Sequence, residues 1–250
     1  MANKSLKKDV KKLFASSQKI SGKNYDKSNL KGLPEPVRRY FQYALPENFP
    51  YISYARLKHK GHFRLKPEQS WKSIKGEEYF TAEKPGFVWF GKLPYFTGKD
   101  LYIRGEGNLK VKLFSFIKIV DKKGNKIDQG ELLRWLGESP WFPTALLPSN
   151  KLKWKAVDEN SARVILNYNS IEATGVFNFD EKGRITSFTT KRYKDGVLEK
   201  WTGYFKNYKD ANGIKIPFKV EVEWNLETGN FKYVNFILSK IEYDKPEVFE

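Results

Sequence analysis

From Tyr54 to Tyr243 the chain reads almost throughout as β-strand, and one stretch, Gly130–Pro148, breaks the pattern with helical spacing. Leu132, Leu133 and Leu136 share a helical face with Trp135 beside them. Ser139-Pro140 then starts a second short turn carrying Trp141, Phe142, Ala145, Leu146 and Leu147, and Pro148 stops it. A helical insert this apolar needs a surface to cover, and the strands around it supply one.

Those strands show apolar and polar residues in alternation. Leu57, His59, Gly61, Phe63 and Leu65 fall on one face of the first strand, with Arg56, Lys58, Lys60, His62, Arg64 and Lys66 on the other. Trp71 to Ala82 reads as a second strand, and Phe87-Val88-Trp89-Phe90 is apolar on both faces. Lys92 to Asp100, with Gly98 and Pro94, reads as a loop, Leu101–Arg104 and Leu109–Val120 as strands, and Asp121–Asn125 as a turn. After the insert, alternating sets recur at Leu152–Ala156, Ala162–Tyr168, Ile171–Phe179, Arg184–Tyr193, Val197–Tyr208, Ile214–Trp224 and Phe231–Tyr243. The Asp195-Gly196 pair marks a hairpin.

Roughly ten strands joined by short turns make a meander too long to stay flat. The expected fold is mainly β: a large curved antiparallel sheet, half-barrel or barrel, spanning residues 54–243 of one domain covering 1–250. A helical cap is expected over residues 1–46, from the amphipathic stripe Leu6, Val10, Leu13, Phe14 and the segment opened by Leu33-Pro34-Glu35-Pro36. Residues 129–148 are the expected lid, and lid and N-terminal helices together are expected to cover the hollow side of the sheet.

Composition excludes several chemistries. With no cysteine there is no disulfide, thiolate nucleophile or cysteine zinc site. Two histidines and no clustered acid pattern give no metal motif, no Gly-x-Ser-x-Gly elbow is present, and no cofactor is implied. No apolar run reaches the roughly 18 residues needed to span a bilayer, and the first residues lack a signal-peptide core, so the expected location is cytoplasmic, with peripheral membrane association open. The formal net charge of +17 attracts anionic surfaces. Its lysines are spread along the chain, which favours a solubility role over a nucleic-acid surface.

Leu33–Tyr40, Pro85–Trp89, Gly130–Leu136 and Pro140–Pro148 together resemble a bacterial and archaeal domain-of-unknown-function family, over nearly the whole chain. That resemblance brings no activity with it. Its members often carry N-terminal membrane segments, and this sequence departs from that. A weaker resemblance links Phe205-Lys206-Asn207-Tyr208 and Asn212–Pro217 to lipoprotein-carrier (LolA-like) half-barrels. It implies an N-terminal helix, a helical lid between strands, and a cavity for acyl chains.

Three functions follow. The first is a non-enzymatic carrier of a lipid-like or other hydrophobic molecule. Its ligand site would be lined by Phe63, Trp89, Trp135, Trp141, Phe142, Leu146, Trp154 and Trp201, with Glu131, Arg134 and Glu138 orienting a head group at its mouth. Those three polar residues share a helical face, so solvent-facing ion pairs are the plainer account. The second is an enzyme in which the same carboxylates act as general acid and base. The third is an electrostatic partner of anionic membrane, or less readily nucleic acid, through Arg56, Lys58, Lys60 and Arg64, a stripe that otherwise reads as a solvated outer face. His59 is expected to be a core histidine.

Overall fold

Two antiparallel meanders form one thirteen-stranded sheet. The computed structural model describes residues 4–114 and 117–250. The first three residues, and Ser115 and Phe116 within the stretch read as strand, lie outside the described residues. β1 (Tyr54–Phe63), β2 (Lys72–Thr81), β3 (Gly86–Lys92), β4 (Phe96–Ile103), β5 (Glu106–Leu113) and β6 (Ile117–Lys122) make the first meander. The second comprises β7 (Leu152–Asp158), β8 (Ser161–Tyr168), β9 (Ile171–Phe179), β10 (Ile185–Lys194), β11 (Val197–Ala211), β12 (Ile214–Leu226) and β13 (Gly229–Tyr243). β1 pairs with β13 in the middle, which leaves β6 and β7 as the outer edges. Asp195-Gly196 and Asn212-Gly213 close hairpins with φ positive at both residues, the geometry that matches strand twist.

The segment read as a loop, Lys92 to Asp100, instead contributes half of β4. Gly98 does not break the strand because it sits directly opposite Gly91 in β3, and the Trp89 ring lies over both. Likewise the turn at Asp121–Asn125 is shorter than expected, since α3 begins at Asn125 and runs to Glu138. Its polar first turn hides that start from any apolar periodicity. Two 3-10 turns, Ser139–Trp141 and Pro143–Leu146, complete the insert.

α3 shows how strongly the sheet curls. It packs on β3, β4 and β5 of one wing and on β9 and β10 of the other. β5 and β10 are eight strand spacings apart, about 38 Å in a flat sheet, whereas a helix is only about 10 Å across. The wings therefore wrap around the helix. Asn169 Nδ2 donates to Arg104 O at 3.0 Å, and Lys122 pairs with Asp195 at 3.5 Å, bringing turns of the two wings together. No backbone ladder joins β6 to β7 among the described residues, so the sheet stays an open, curved half-barrel.

The two N-terminal helices cover opposite faces. α2 (Glu35–Ala44) sends Val37, Tyr40 and Phe41 into the main core on the hollow side. α1 (Lys4–Phe14) buries Leu6, Val10, Leu13 and Phe14 against Tyr54, Tyr79, Val88, Ile103 and Phe249. Tyr79 and Val88 alternate with Phe80 and Phe87, which face the main core, so α1 lies on the outer face. That corrects the expectation that both helices roof the hollow. It also uses up the apolar stripe that α1 would need to bind a membrane.

The insert is core. Leu132, Leu133, Trp135, Leu136, Trp141, Phe142 and Leu146 are all almost completely buried. At about 1.5–3 kcal/mol per side chain, exposing them together costs more than about 10 kcal/mol, comparable to the whole stability of an ordinary domain. α3 therefore does not lift as a lid. Trp135→Ala is expected to lower the unfolding free energy by about 4 kcal/mol in urea titrations, while Lys126→Ala on the same helix changes it by less than about 0.5 kcal/mol.

Candidate functional site

The inner face of the first wing carries a row of small residues that makes room for flat rings. His59, Gly76, Gly91, Gly98 and Val111 are direct neighbours across β1 to β5. A Cβ at Gly76 would collide with the His59 ring, and one at Gly91 with the Trp89 ring. The absence of those side chains lets both rings lie flat on the sheet. His59 and Trp89 are nearly parallel, at 5°, and Phe236 stacks on His59 at 4.0 Å. Trp89 Nε1 donates to His59 Nε2 at 2.8 Å, which fixes the neutral tautomer with the proton on Nδ1. Burial, with help from nearby Arg134, pushes the His59 pKa down to about 3. The core position expected for His59 is the one observed.

Arg134 reaches from α3 to this pavement, with its guanidinium over the Phe87 and Trp89 rings at 4.8 and 5.2 Å. It binds three carboxylates. Nη1 meets Asp100 at 2.6 Å, Nη2 meets Glu78 at 2.8 Å, and Nε meets Glu138 at 2.9 Å. Glu131, one helical turn earlier, lies buried against Gly107 of β5. Arg192 of β10 sits over Trp201 at 4.9 Å and acts electrostatically on Asp100 and Glu131. Four carboxyl groups thus face two guanidinium groups in the interior.

Desolvation dominates the titration of Glu78, Asp100 and Glu131. It raises Glu78 well above the usual carboxylate range, with Glu138 adding to the effect and Arg134 opposing it. It raises Asp100 against the pull of Arg134 and Arg192. Glu131 is pushed up to about 7, first by desolvation and then by Asp100. Buried polar atoms without partners are uncommon, and several gather here: Asp100 Oδ1, Glu131 Oε2, Glu138 Oε2, Arg192 Nε and His59 Nδ1. The side chains of Arg134, Asp100 and Glu138 keep 12, 15 and 17% of their exposure, so a space open to water touches them. Tyr233 lies close enough to Arg192, Arg134 and Asp100 to feel their charges and accepts from Trp201 Nε1 at 2.9 Å. With Phe63 and Trp224, which pack on Tyr233, it forms a half-buried aromatic wall toward the sheet end that carries the β1–β2 turn.

The structure brings together Phe63, Trp89, Glu131, Arg134, Glu138 and Trp201 from the sequence-derived set. It separates them from Trp135, Trp141, Phe142, Leu146 and Trp154. Trp135 donates to Thr81 O, Trp141 to Pro217 O and Trp154 to Leu146 O, so those indoles are packed and bonded within the core. Beneath the insert those tryptophans are buried and hydrogen-bonded to the backbone, away from the Arg134 cluster. Surface depressions of about 320 and 340 Å³ lie elsewhere, one on the outer face around Lys58, Lys75 and Phe249, the other around Asn160 and Lys182.

The cationic stripe is also revised. Arg56 is buried, paired with Glu242 at 2.9 Å and bonded to the Glu247 and Val248 carbonyls, because the C-terminal segment folds across it. Arg64 donates to Lys232 O and Pro67 O and stacks on Trp71. Lys58 is half-buried against Phe249, and Lys60 stays exposed. The four do not form a free anion-binding row.

Glu78, Asp100, Arg192 and Tyr233 were missed. Register contained a signal for two of them: Glu78 shares a face with inward Phe80, and Asp100 with inward Tyr102. A raised folded-state pKa means that ionisation of Glu131 destabilises the fold. The stability it confers is complete below its unfolded value near 4.5 and is lost as pH rises through about 7. Glu131→Gln should therefore gain on the wild type between those pH values, by up to about 3 kcal/mol, and hold that gain above them. Urea midpoints at about pH 5 and pH 8 measure it, and an unchanged gap would contradict the assignment.

Among solved structures, the chain is similar to a LolA-superfamily protein from Nitrosomonas europaea, at 9% identity and a TM-score of 0.44, covering 84% of this chain and 92% of that one. It is also similar to a DUF1329-family protein from Desulfovibrio piger, at 10% identity and a TM-score of 0.38, covering 89% and 94%. Likenesses this distant carry no functional argument. No curated protein matches the sequence. The family of unknown function DUF6544 matches residues 23–236, and the resemblance carried by the Leu33–Tyr40 and Gly130–Pro148 motifs points the same way: the chain belongs to that family.

Proposed function

We propose that the chain is a binding protein for an amphipathic molecule. The polar head sits at the buried carboxylate–arginine cluster, and the apolar part lies along Phe63, Trp224 and Tyr233. The observation that carries this reading is the gathering of five unpartnered buried polar atoms around Arg134, where the Arg134, Asp100 and Glu138 side chains keep part of their exposure beside the half-buried aromatic wall. A fold does not leave so many buried valences open without cost. A ligand that satisfies them recovers that cost on binding.

The chemistry of the head follows from the open valences. Three are carboxyl oxygens, on Asp100, Glu131 and Glu138, and only two are donors. The charge of Arg134 is already offset by three carboxyl groups, so it is a scaffold and not an anion receptor. The complementary head is a hydrogen-bond donor, either an ammonium or a hydroxyl-rich group. Binding an ammonium would favour the ionised form of Glu131 and release a proton near neutral pH.

A second reading is supported by Glu131 alone. A carboxyl group titrating near 7 is suited to general acid–base work. In that case the same head group is the reacting centre, and Glu131→Gln would trap bound substrate that the wild type converts.

Titration with single-chain amphiphiles, followed by tryptophan fluorescence, separates these outcomes. A dodecylammonium probe should bind at least about tenfold tighter than dodecanoate, against the direction favoured by the +17 charge of the chain. Asp100→Asn should remove that preference. Equal binding of the two probes would overturn the head-group assignment, and no uptake of either would overturn the binding reading. Native mass spectrometry that finds a ligand only on Glu131→Gln would favour the enzyme.

A further inference from the structure

The turns at one end of the sheet form a rim on which exposed apolar side chains are concentrated. In an antiparallel meander, alternate turns fall at the same end. The β1–β2, β3–β4, β5–β6 and β12–β13 turns therefore lie along this rim, whereas the curl of the sheet carries the β10–β11 tip to the far end of β6, where Asp195 meets Lys122 and Gly196 O accepts from Lys126. Ten large apolar side chains are exposed among the described residues. Six of them lie here: Leu65, Trp71, Tyr95, Phe114, Ile117 and Ile119. The other four, Val157, Val197, Leu198 and Ile237, are elsewhere. Scattered exposed apolar residues are ordinary, but six of ten on three adjoining hairpin tips are not.

Cations accompany them. Lys66 follows Leu65, Lys72 follows Trp71, and Lys118 stands between Ile117 and Ile119. Lys66, Lys72 and Lys92 are all exposed on this side, where Glu68 is the nearest acid in sequence. The Arg64 guanidinium lies over Trp71 at 4.7 Å, and Lys72 Nζ over Phe96 at 5.5 Å. The acidic residue at the other side of the rim is Glu227, in the β12–β13 turn. Tyr95 and Phe114 meet edge to face at 6.1 Å, joining two tips into one aromatic ridge.

We infer that this rim docks the protein on an anionic lipid bilayer. Aliphatic and aromatic tips spaced along a ring enter the headgroup boundary, and the lysines between them stay at the level of the phosphates. Each lysine near an anionic surface adds to the attraction, and the net charge of +17 draws the chain toward it. The apolar stripe of α1 is buried and takes no part. The docking depends only on the rim and stands whether or not the interior cluster binds a head group.

Vesicle flotation with the full chain tests it. Vesicles of phosphatidylcholine with about 30% phosphatidylglycerol should carry the protein upward, and phosphatidylcholine alone should not. Raising salt from about 0.1 to about 0.5 M should weaken the association by at least about tenfold. The double variant Tyr95→Ser/Ile119→Ser should lose at least about tenfold in partitioning at unchanged melting temperature. Val157→Ser, at an exposed apolar site off the rim, should partition like the wild type. Absence of flotation, wild-type flotation of the rim variant, or equal loss in Val157→Ser would overturn the inference. So would a lipid-free dimer that the rim variant dissolves into monomer with its flotation unchanged, since the rim would then be a contact between copies. Failure here leaves the amphiphile titration untouched, and failure there leaves flotation untouched.

Discussion

The chain leaves the sheet at one outer edge and re-enters it at the other, and that constraint shapes everything else. β6 and β7 are consecutive in sequence yet are the two extremes of a thirteen-stranded sheet. The segment between them must cross the whole open side, and it does so as α3 and two 3-10 turns. A flat sheet would put its ends far beyond the reach of one short helix. Curling brings both wings onto the helix, and the helix fills the hollow that curling creates. The density of apolar residues in Gly130–Pro148 follows directly, because this segment is surrounded by sheet on several sides.

Arg134 gives the crossing its polar anchor. It ties α3 to β2 through Glu78 and to β4 through Asp100, and it is held in turn by Glu138. A buried ion network of this kind is weak evidence of stability, since dehydration offsets most of the attraction. Here the acids outnumber the arginines, so neutral carboxyls and open valences remain. The side chains under the insert are almost completely buried while Phe63, Trp224 and Tyr233 stay half-buried, and that division separates scaffold from candidate site.

Most of the architecture was legible in the sequence, because period-two alternation and a single helical interruption leave few alternatives. The face shared by Glu131, Arg134 and Glu138 was legible too, since helical spacing alone defines it. What that face met was not. Glu78 and Asp100 come from strands that pair only after the sheet is assembled, and the β4 contribution was obscured by Gly98, which reads as a breaker until its opposite glycine is known. The cationic row on β1 misled for a related reason. Alternation placed Arg56 on the outer face correctly, yet nothing local announced that Val248–Phe249 would close over it.

β1 and β13 are neighbours in space and lie at opposite ends of the β region in sequence. During synthesis the first six strands are complete long before β13 exists, so the flank of β1 stands open with unpaired amides and carbonyls. Such a flank invites pairing with the wrong chain. The alternating Arg56, Lys58, Lys60 and Arg64 make it a charged flank that repels another copy of itself. On this view the row that looked like a receptor for anions is a guard on a growing sheet, and its work ends when the last strand arrives.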